Sequence, residues 1–219
     1  MRSWSLRQHR AVNMKLIVMS TPHLFKEEGD VINALFDAGM NIFHLRKPEA
    51  SIPALRILIE QIDPAYRHML VLHQHHALCD EFQLPRRHYP EQLRQHHAAS
   101  GFADQQQPGI KLSTSIHDLD SIASCSAFEY VFFSPVFDSI SKAGYRSKLP
   151  TNFRLDTKSG WPAVIALGGI EVRHVEQVSA MNFDGLAVLG AIWNIGQSPV
   201  ENFLALDHAC LLIKNSETN

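Results

Sequence analysis

The chain has 219 residues, 45% of them hydrophobic and 19% charged, with a formal net charge of −2. That length supports one barrel-sized domain or two small ones, and the near-neutral balance excludes a protein that holds nucleic acid by bulk charge. The three cysteines, Cys79, Cys125 and Cys210, form no pair motif, which excludes a disulfide framework and suits a reducing, cytoplasmic setting.

The opening segment, residues 1–14, is basic in flavour but lacks the apolar stretch of a secretory signal, and is expected to be a disordered or extended arm. No run approaches the roughly 18 apolar residues of a membrane helix, so no membrane partner is expected. From Lys15 onward, short apolar runs alternate with amphipathic stretches. "KLIVM" (Lys15–Met19) predicts a strand, and "EEGDVINALFDAG" (Glu27–Gly39) a helix with Val31, Ile32, Leu35 and Phe36 on one face, stopped by glycine. "NIFHLR" (Asn41–Arg46) predicts a strand. "SIPALRILIEQI" (Ser51–Ile62) predicts a helix capped by Ser51, with Pro53 in its first turn. "HMLVLH" (His68–His73) predicts a strand and "HALCDEF" (His76–Phe82) a short helix.

The next stretch carries a weaker strand signal at "RRHY", a helix at "PEQLRQHHAA" and a polar loop. "IKLS" (Ile110–Ser113) predicts a strand, "SIHDLDSIA" (Ser115–Ala123) a helix, and "EYVFFS" (Glu129–Ser134) a strand before a long Ser-rich loop. "PAVIAL" (Pro162–Leu167) predicts a strand with a helix from about Glu171. "GLAVL" (Gly185–Leu189) is the eighth strand, and "PVENFLALDHACLLIK" (Pro199–Lys214) the closing helix. Eight strand–helix units with no linker between halves predict a single (β/α)8 TIM barrel over residues 15–214. An open doubly wound sheet is the alternative, but its Gly-rich fingerprint is missing from the first turn, "MSTPHLF".

In such barrels the active site lies at the carboxyl ends of the strands, and phosphate commonly binds after strands seven and eight. Gly168-Gly169 ends the seventh predicted strand and Gly190 the eighth, so backbone N–H groups there are candidates for a phosphate cradle. The plainer alternative is that these glycines only turn the chain. After the sixth strand, "SPVFDSISKAGY" (Ser134–Tyr145) offers hydroxyls and Lys142, a set suited to phosphate or diphosphate oxygens, or an ordinary surface loop.

Taken in order, "HLRKP", "KLSTS", "SPVFDSISKAG", "ALGGI" and "GLAVLGAIW" resemble the thiamine phosphate synthase family and its thiazole tautomerase relatives, from about Lys15 to Trp193. The resemblance implies a transferase of thiamine biosynthesis that joins hydroxymethylpyrimidine diphosphate to hydroxyethylthiazole phosphate with the help of Mg²⁺. Its partners would be phosphorylated small molecules, and the family analogy allows a homodimer. It implies that Ser139, Ile140 and Ser141 contact the thiazole, Lys142 the diphosphate, and Ser113, taken as the end of strand five, the pyrimidine diphosphate. Lys142 and Ser113 are the catalytic candidates. Arg46 matches the arginine of an Arg-x-Lys element, and Gly169, Leu189 and Gly190 match the phosphate cradle.

The sequence departs from that family at the metal. Pro48 stands where the element's lysine is expected, and Lys47 should point to the opposite side. After strands three and four, where the resemblance implies aspartates for Mg²⁺, the chain has His73, Gln74 and Pro90, with Glu91 the nearest acid. No protein-held metal site is therefore expected, and Mg²⁺ is expected to arrive with the substrate. An aspartate at position 74 would be expected to tighten it. His73, at a strand end, is the histidine expected to touch ligand. The "HQHH" run (His73–His76) suits either a transition metal or simple hydrogen bonding. The alternative functions are a thiazole phosphate tautomerase and a non-catalytic barrel that binds thiazole or thiamine phosphate.

Overall fold

The apolar runs resolve into eight short parallel strands: β1 (Lys15–Met19), β2 (Phe43–Leu45), β3 (Leu70–Leu72), β4 (Arg86–Tyr89), β5 (Lys111–Ile116), β6 (Tyr130–Phe133), β7 (Ala163–Leu167) and β8 (Gly185–Val188). Each pairs with its sequence neighbour, and β8 returns to β1 with Leu16 opposite Leu186, closing an eight-stranded barrel. The computed structural model describes residues 14–97, 108–138, 147, 149–156, 158–194 and 196–216. The expected arm lies outside these residues except for Met14, which is buried against the core.

Among the described residues seven α-helices accompany the strands: α1 (Glu28–Asp37), α2 (Ile52–Gln61), α3 (Ala77–Glu81), α4 (Glu91–His97), α5 (Val175–Ala180), α6 (Gly190–Trp193) and α7 (Pro199–Ser216). In α1 the stripe Ile32, Leu35 and Phe36 is buried, and the chain leaves the helix through Gly39 at φ 104. Ser51 caps α2 as expected, its Oγ accepting from Ala54 N at 3.4 Å. None of the described helices is long and apolar enough to cross a membrane.

One connection differs from the expected pattern, and the loop expected after β6 follows it. β5 runs on to Ile116 because its alternation continues, with Leu112, Thr114 and Ile116 buried on one face. The expected helix from Ser115 is replaced by a 3-10 segment, Leu119–Cys125, opened by Asp118, whose side chain accepts from Asp120 N. Between β6 and β7 the described residues contain no helix.

Alternation along the strands divides the core in two. Outward-facing Val18, Phe43, Leu45, Leu70, Leu72 and Val131 pack with Ile32, Leu35, Leu55 and Ile59 into the large core. The lumen holds a second cluster, Ile17, Met19, Tyr130, Phe132, Ile165 and Ala187, all supplied by β1, β6, β7 and β8. The other half of the lumen is polar and contains His44, His73, His88 and Ser113. Trp193 fastens the closure, donating from Nε1 to Met19 O at 2.7 Å and meeting Phe25 and Phe43 edge-on.

Candidate active site at the carboxyl ends of the strands

The rim begins where β1 and β2 end. Ser20 Oγ accepts from Arg46 N (2.9 Å) and donates to Arg46 O (3.0 Å), fixing the backbone of Arg46 just beyond β2. The Arg46 side chain is exposed, and no described carboxylate pairs with it. Lys47 turns the other way, as strand alternation requires. It is fully buried and donates to Glu28 (2.5 Å), Thr21 Oγ1 (3.1 Å) and the His23 carbonyl (2.8 Å). Burial pulls the Lys47 pKa down and pushes the Glu28 pKa up, while their mutual attraction opposes both shifts. Lys47 therefore anchors the β1–α1 loop and leaves Arg46 as the cation at this part of the rim.

The polar half of the lumen lies beneath. His44 Nδ1 is 2.9 Å from His73 Nε2, and His44 Nε2 is 2.6 Å from the Tyr130 hydroxyl. The His73 and His88 rings stack at 4.0 Å. His88 Nδ1 meets Ser113 Oγ at 2.9 Å, and its Nε2 meets Ser115 Oγ at 3.0 Å. Burial drives all three imidazole pKa values down, that of His88 to about 3, with the neighbouring histidines adding to the effect. Burial likewise raises the Tyr130 pKa. The cluster is neutral at physiological pH.

The rest of the "HQHH" run points elsewhere. Gln74 Nε2 donates to the Lys47 carbonyl, His75 bonds the Ala50 carbonyl (3.2 Å), and His76 bonds the Leu72 and His88 carbonyls (3.1 and 3.2 Å). These three side chains staple loops together. His73 joins instead with His44 and His88, which the sequence reading missed. The signal for both was present: each is a lone histidine at an inward position of a short strand, in "FHL" and "RRHY".

At the far side of the rim, Gly168 and Gly169 follow β7 at φ 101 and φ 66, and Gly190 opens α6 after β8. A Cβ at Gly169 would lie 2.5 Å from the Asp138 carbonyl oxygen, so the close passage of the β6–β7 loop already requires glycine there. Gly190 is exposed, and a Cβ on it would meet nothing within 4 Å. Leu189 lies between, packed against the lumen cluster.

Arg46, His73, Gly169, Leu189 and Gly190 thus share the carboxyl end of the barrel. Ser113 does not end β5: the strand runs three residues further, and Ser113 lies 1% exposed below the mouth, held by His88. Ser115 is the less buried hydroxyl of that strand. Ser139, Ile140, Ser141 and Lys142 lie outside the described residues. Glu91 is engaged, with Arg94 Nη2 at 3.3 Å and His117 Nε2 at 3.9 Å. A separate concavity, lined by Cys79, Asp80, Arg87 and Gly109, opens near the amino ends of β4 and β5. Its charged residues Asp80 and Arg87 are an ion pair at 2.5 Å, and this end of a barrel supports the fold rather than the chemistry.

A closed eight-stranded parallel barrel with helices between its strands defines a (β/α)8 TIM barrel. The family model for thiamine monophosphate synthase matches residues 15–192, and the chain belongs to that family. Among solved structures it is similar to thiamine phosphate pyrophosphorylase from Bacteroides thetaiotaomicron, at 27% identity and a TM-score of 0.68 over 91% of this chain and 98% of that one. The fold is shared with thiamine phosphate pyrophosphorylase from Pyrococcus furiosus, at 14% identity and a TM-score of 0.69 over 93% and 98%. It is also shared with (S)-3-O-geranylgeranylglyceryl phosphate synthase from Thermoplasma acidophilum, at 11% identity and a TM-score of 0.57 over 90% and 93%. A search of curated proteins returns no match.

Proposed function

We propose that the protein is a divergent thiamine phosphate synthase-like transferase joining hydroxymethylpyrimidine diphosphate to hydroxyethylthiazole phosphate. One observation carries this reading: the family match, residues 15–192, spans all eight strands of the barrel. In the reaction the thiazole nitrogen forms a bond to the pyrimidine methylene carbon while the carbon–oxygen bond to diphosphate breaks. The diphosphate leaves with the electron pair, so the protein must stabilise negative charge as it develops.

Arg46 takes that role at the rim of β2, helped by Lys142 in the β6–β7 loop. Ser139, Ile140 and Ser141 hold the thiazole, and the turns at Gly169, Leu189 and Gly190 receive its phosphate. Ser113, hydrogen-bonded to His88, acts by orienting it, and the less buried Ser115, further along β5, is the hydroxyl of that strand that meets the substrate.

A protein-held Mg²⁺ does not fit the residues present. Mg²⁺ wants hard oxygen ligands. His73 offers an imidazole committed to the lumen, Gln74 is bonded to a carbonyl, position 90 is proline, and Glu91 is paired with Arg94. Any Mg²⁺ would come bound to the diphosphate. The test supplies both substrates over a range of Mg²⁺ concentrations and measures thiamine phosphate. Slow turnover that rises with Mg²⁺–diphosphate is expected. Folded protein that yields no product at any concentration rejects the reading.

A further inference from the structure

We infer that His44, His73 and His88 form a transition-metal site in the barrel lumen, suited to a divalent ion such as zinc or cobalt. This goes beyond the transferase reading, which needs no such ion. Among the described residues they are the group of three whose ligand atoms all lie within 4.8 Å of one another. Their relative exposures are 0%, 6% and 1%, so they are gathered inside the fold rather than scattered on its surface.

The chemistry of the group selects the ion. Three neutral imidazoles suit zinc, cobalt, nickel or copper, and disfavour magnesium and calcium. A tetrahedral ion with bonds of about 2.0–2.1 Å sets its ligand nitrogens about 3.4 Å apart. The His44–His73 pair stands at 2.9 Å and opens slightly to admit an ion, while the remaining approach needs only small ring pivots. Three protein nitrogens leave a fourth position for water or a substrate heteroatom.

For His44 and His88 the outer shell is already in place. Metal-bound imidazoles usually have the other ring nitrogen held by a hydrogen-bond partner. With His44 Nδ1 on the metal, its Nε2 remains on the Tyr130 hydroxyl at 2.6 Å. With either nitrogen of His88 on the metal, the other remains on Ser113 or Ser115, at 2.9 or 3.0 Å. The proton shared by His44 and His73 shifts to the outer nitrogen of its own ring. No net proton is released, because the three rings are neutral beforehand. Across the same lumen the matching positions are Ile17, Ile165 and Ala187, so an apolar filling is available to this barrel and is not used here.

The test uses Co²⁺, because its visible bands report coordination independently of turnover. Purified full-length protein, stripped by a chelator, is titrated with Co²⁺ and then back-titrated with Zn²⁺. One equivalent with tetrahedral-type bands, displaced by Zn²⁺, is the expected result. His73→Asn, at the least buried of the three, should weaken binding by at least about 100-fold, and His88→Gln should do the same. His75→Gln, which alters a loop staple outside the trio, should leave the affinity within about 3-fold. Circular dichroism identifies which variants are folded, and either folded trio variant suffices for the comparison. Absence of Co²⁺ binding in the parent protein overturns the inference. So does one-equivalent binding that keeps its affinity and spectrum in a folded trio variant, which would place the ion on other histidines.

Discussion

Glycine at positions 169 and 190 performs different work, and substitution separates the two. Gly169 sits at φ 66 with a carbonyl oxygen 2.5 Å from where a Cβ would be. Gly169→Ala should therefore cost at least about 2 kcal/mol, from left-handed strain and a backbone clash together. Gly190→Ala meets open space, and its stability should stay within about 0.5 kcal/mol of the parent. Chemical denaturation of both variants checks this, and phosphate-ligand affinity in the stable Gly190→Ala protein then tests the proposed cradle separately from stability. Lys47 is the other residue whose role changes on folding. Lys47→Met leaves Glu28 buried without its cation, and Glu28 Oε2 already lacks a partner. A loss of about 3–5 kcal/mol in unfolding free energy is expected, largely recovered in Lys47→Met/Glu28→Leu. Failure of the double variant to recover would mean that the contacts to Thr21 and His23 carry the anchor instead.

Among the elements, β2, β3 and β4 set the pH response of the metal-free protein. The folded state keeps His44, His73 and His88 neutral, whereas the unfolded chain protonates near the ordinary value of 6.5. The unfolded state then binds more protons at acid pH, so stability should be flat above about 6.5 and fall as pH drops toward 3. These three groups contribute a slope of at most roughly 4 kcal/mol per pH unit, and His76 and His174, also lowered by burial, add to it in the same direction. Denaturation midpoints measured with chelator present, for the parent and for His88→Asn, should differ in slope by about one proton. Equal slopes would show that His88 is not held neutral. Most of the strands are legible in the sequence because period-two alternation and apolar runs are local signals, whereas "RRHY" carries neither and gives only a weak signal. The 3-10 segment after β5 was not legible, since Ser115 and Ile116 continue the strand while reading equally well as a helix start. The histidine cluster was illegible for a different reason. Positions 44, 73 and 88 lie far apart in sequence, and only barrel register brings them together. Gln74, His75 and His76 look equivalent to His73 in the sequence, yet each finds a nearby carbonyl instead.

For the whole molecule, the family fold is intact while the positions expected to hold Mg²⁺ carry other chemistry. The sequence alone suggests that an aspartate at position 74 would restore the ion. The structure gives another expectation, because Gln74 Nε2 donates to the Lys47 carbonyl. Gln74→Asp would set a carboxylate against that oxygen and should cost about 1–3 kcal/mol without tightening Mg²⁺. Calorimetric titration of Mg²⁺ into both proteins decides between the two, and a clear gain in affinity would show that the loop rearranges to offer the carboxylate. The closure of the barrel has a consequence for how the chain is made. β1 takes one of its two partners from β8, about as far along the sequence as the fold allows, and Trp193 must reach back to Met19 to fasten them. During synthesis the first strand leaves the ribosome with one edge lacking its native neighbour until the last strand emerges. Any sheet formed before then would have two unpaired edges, and such edges invite association between chains. The other pairings join sequence neighbours, so the cost of closing a long loop falls on the one pairing of β1 with β8.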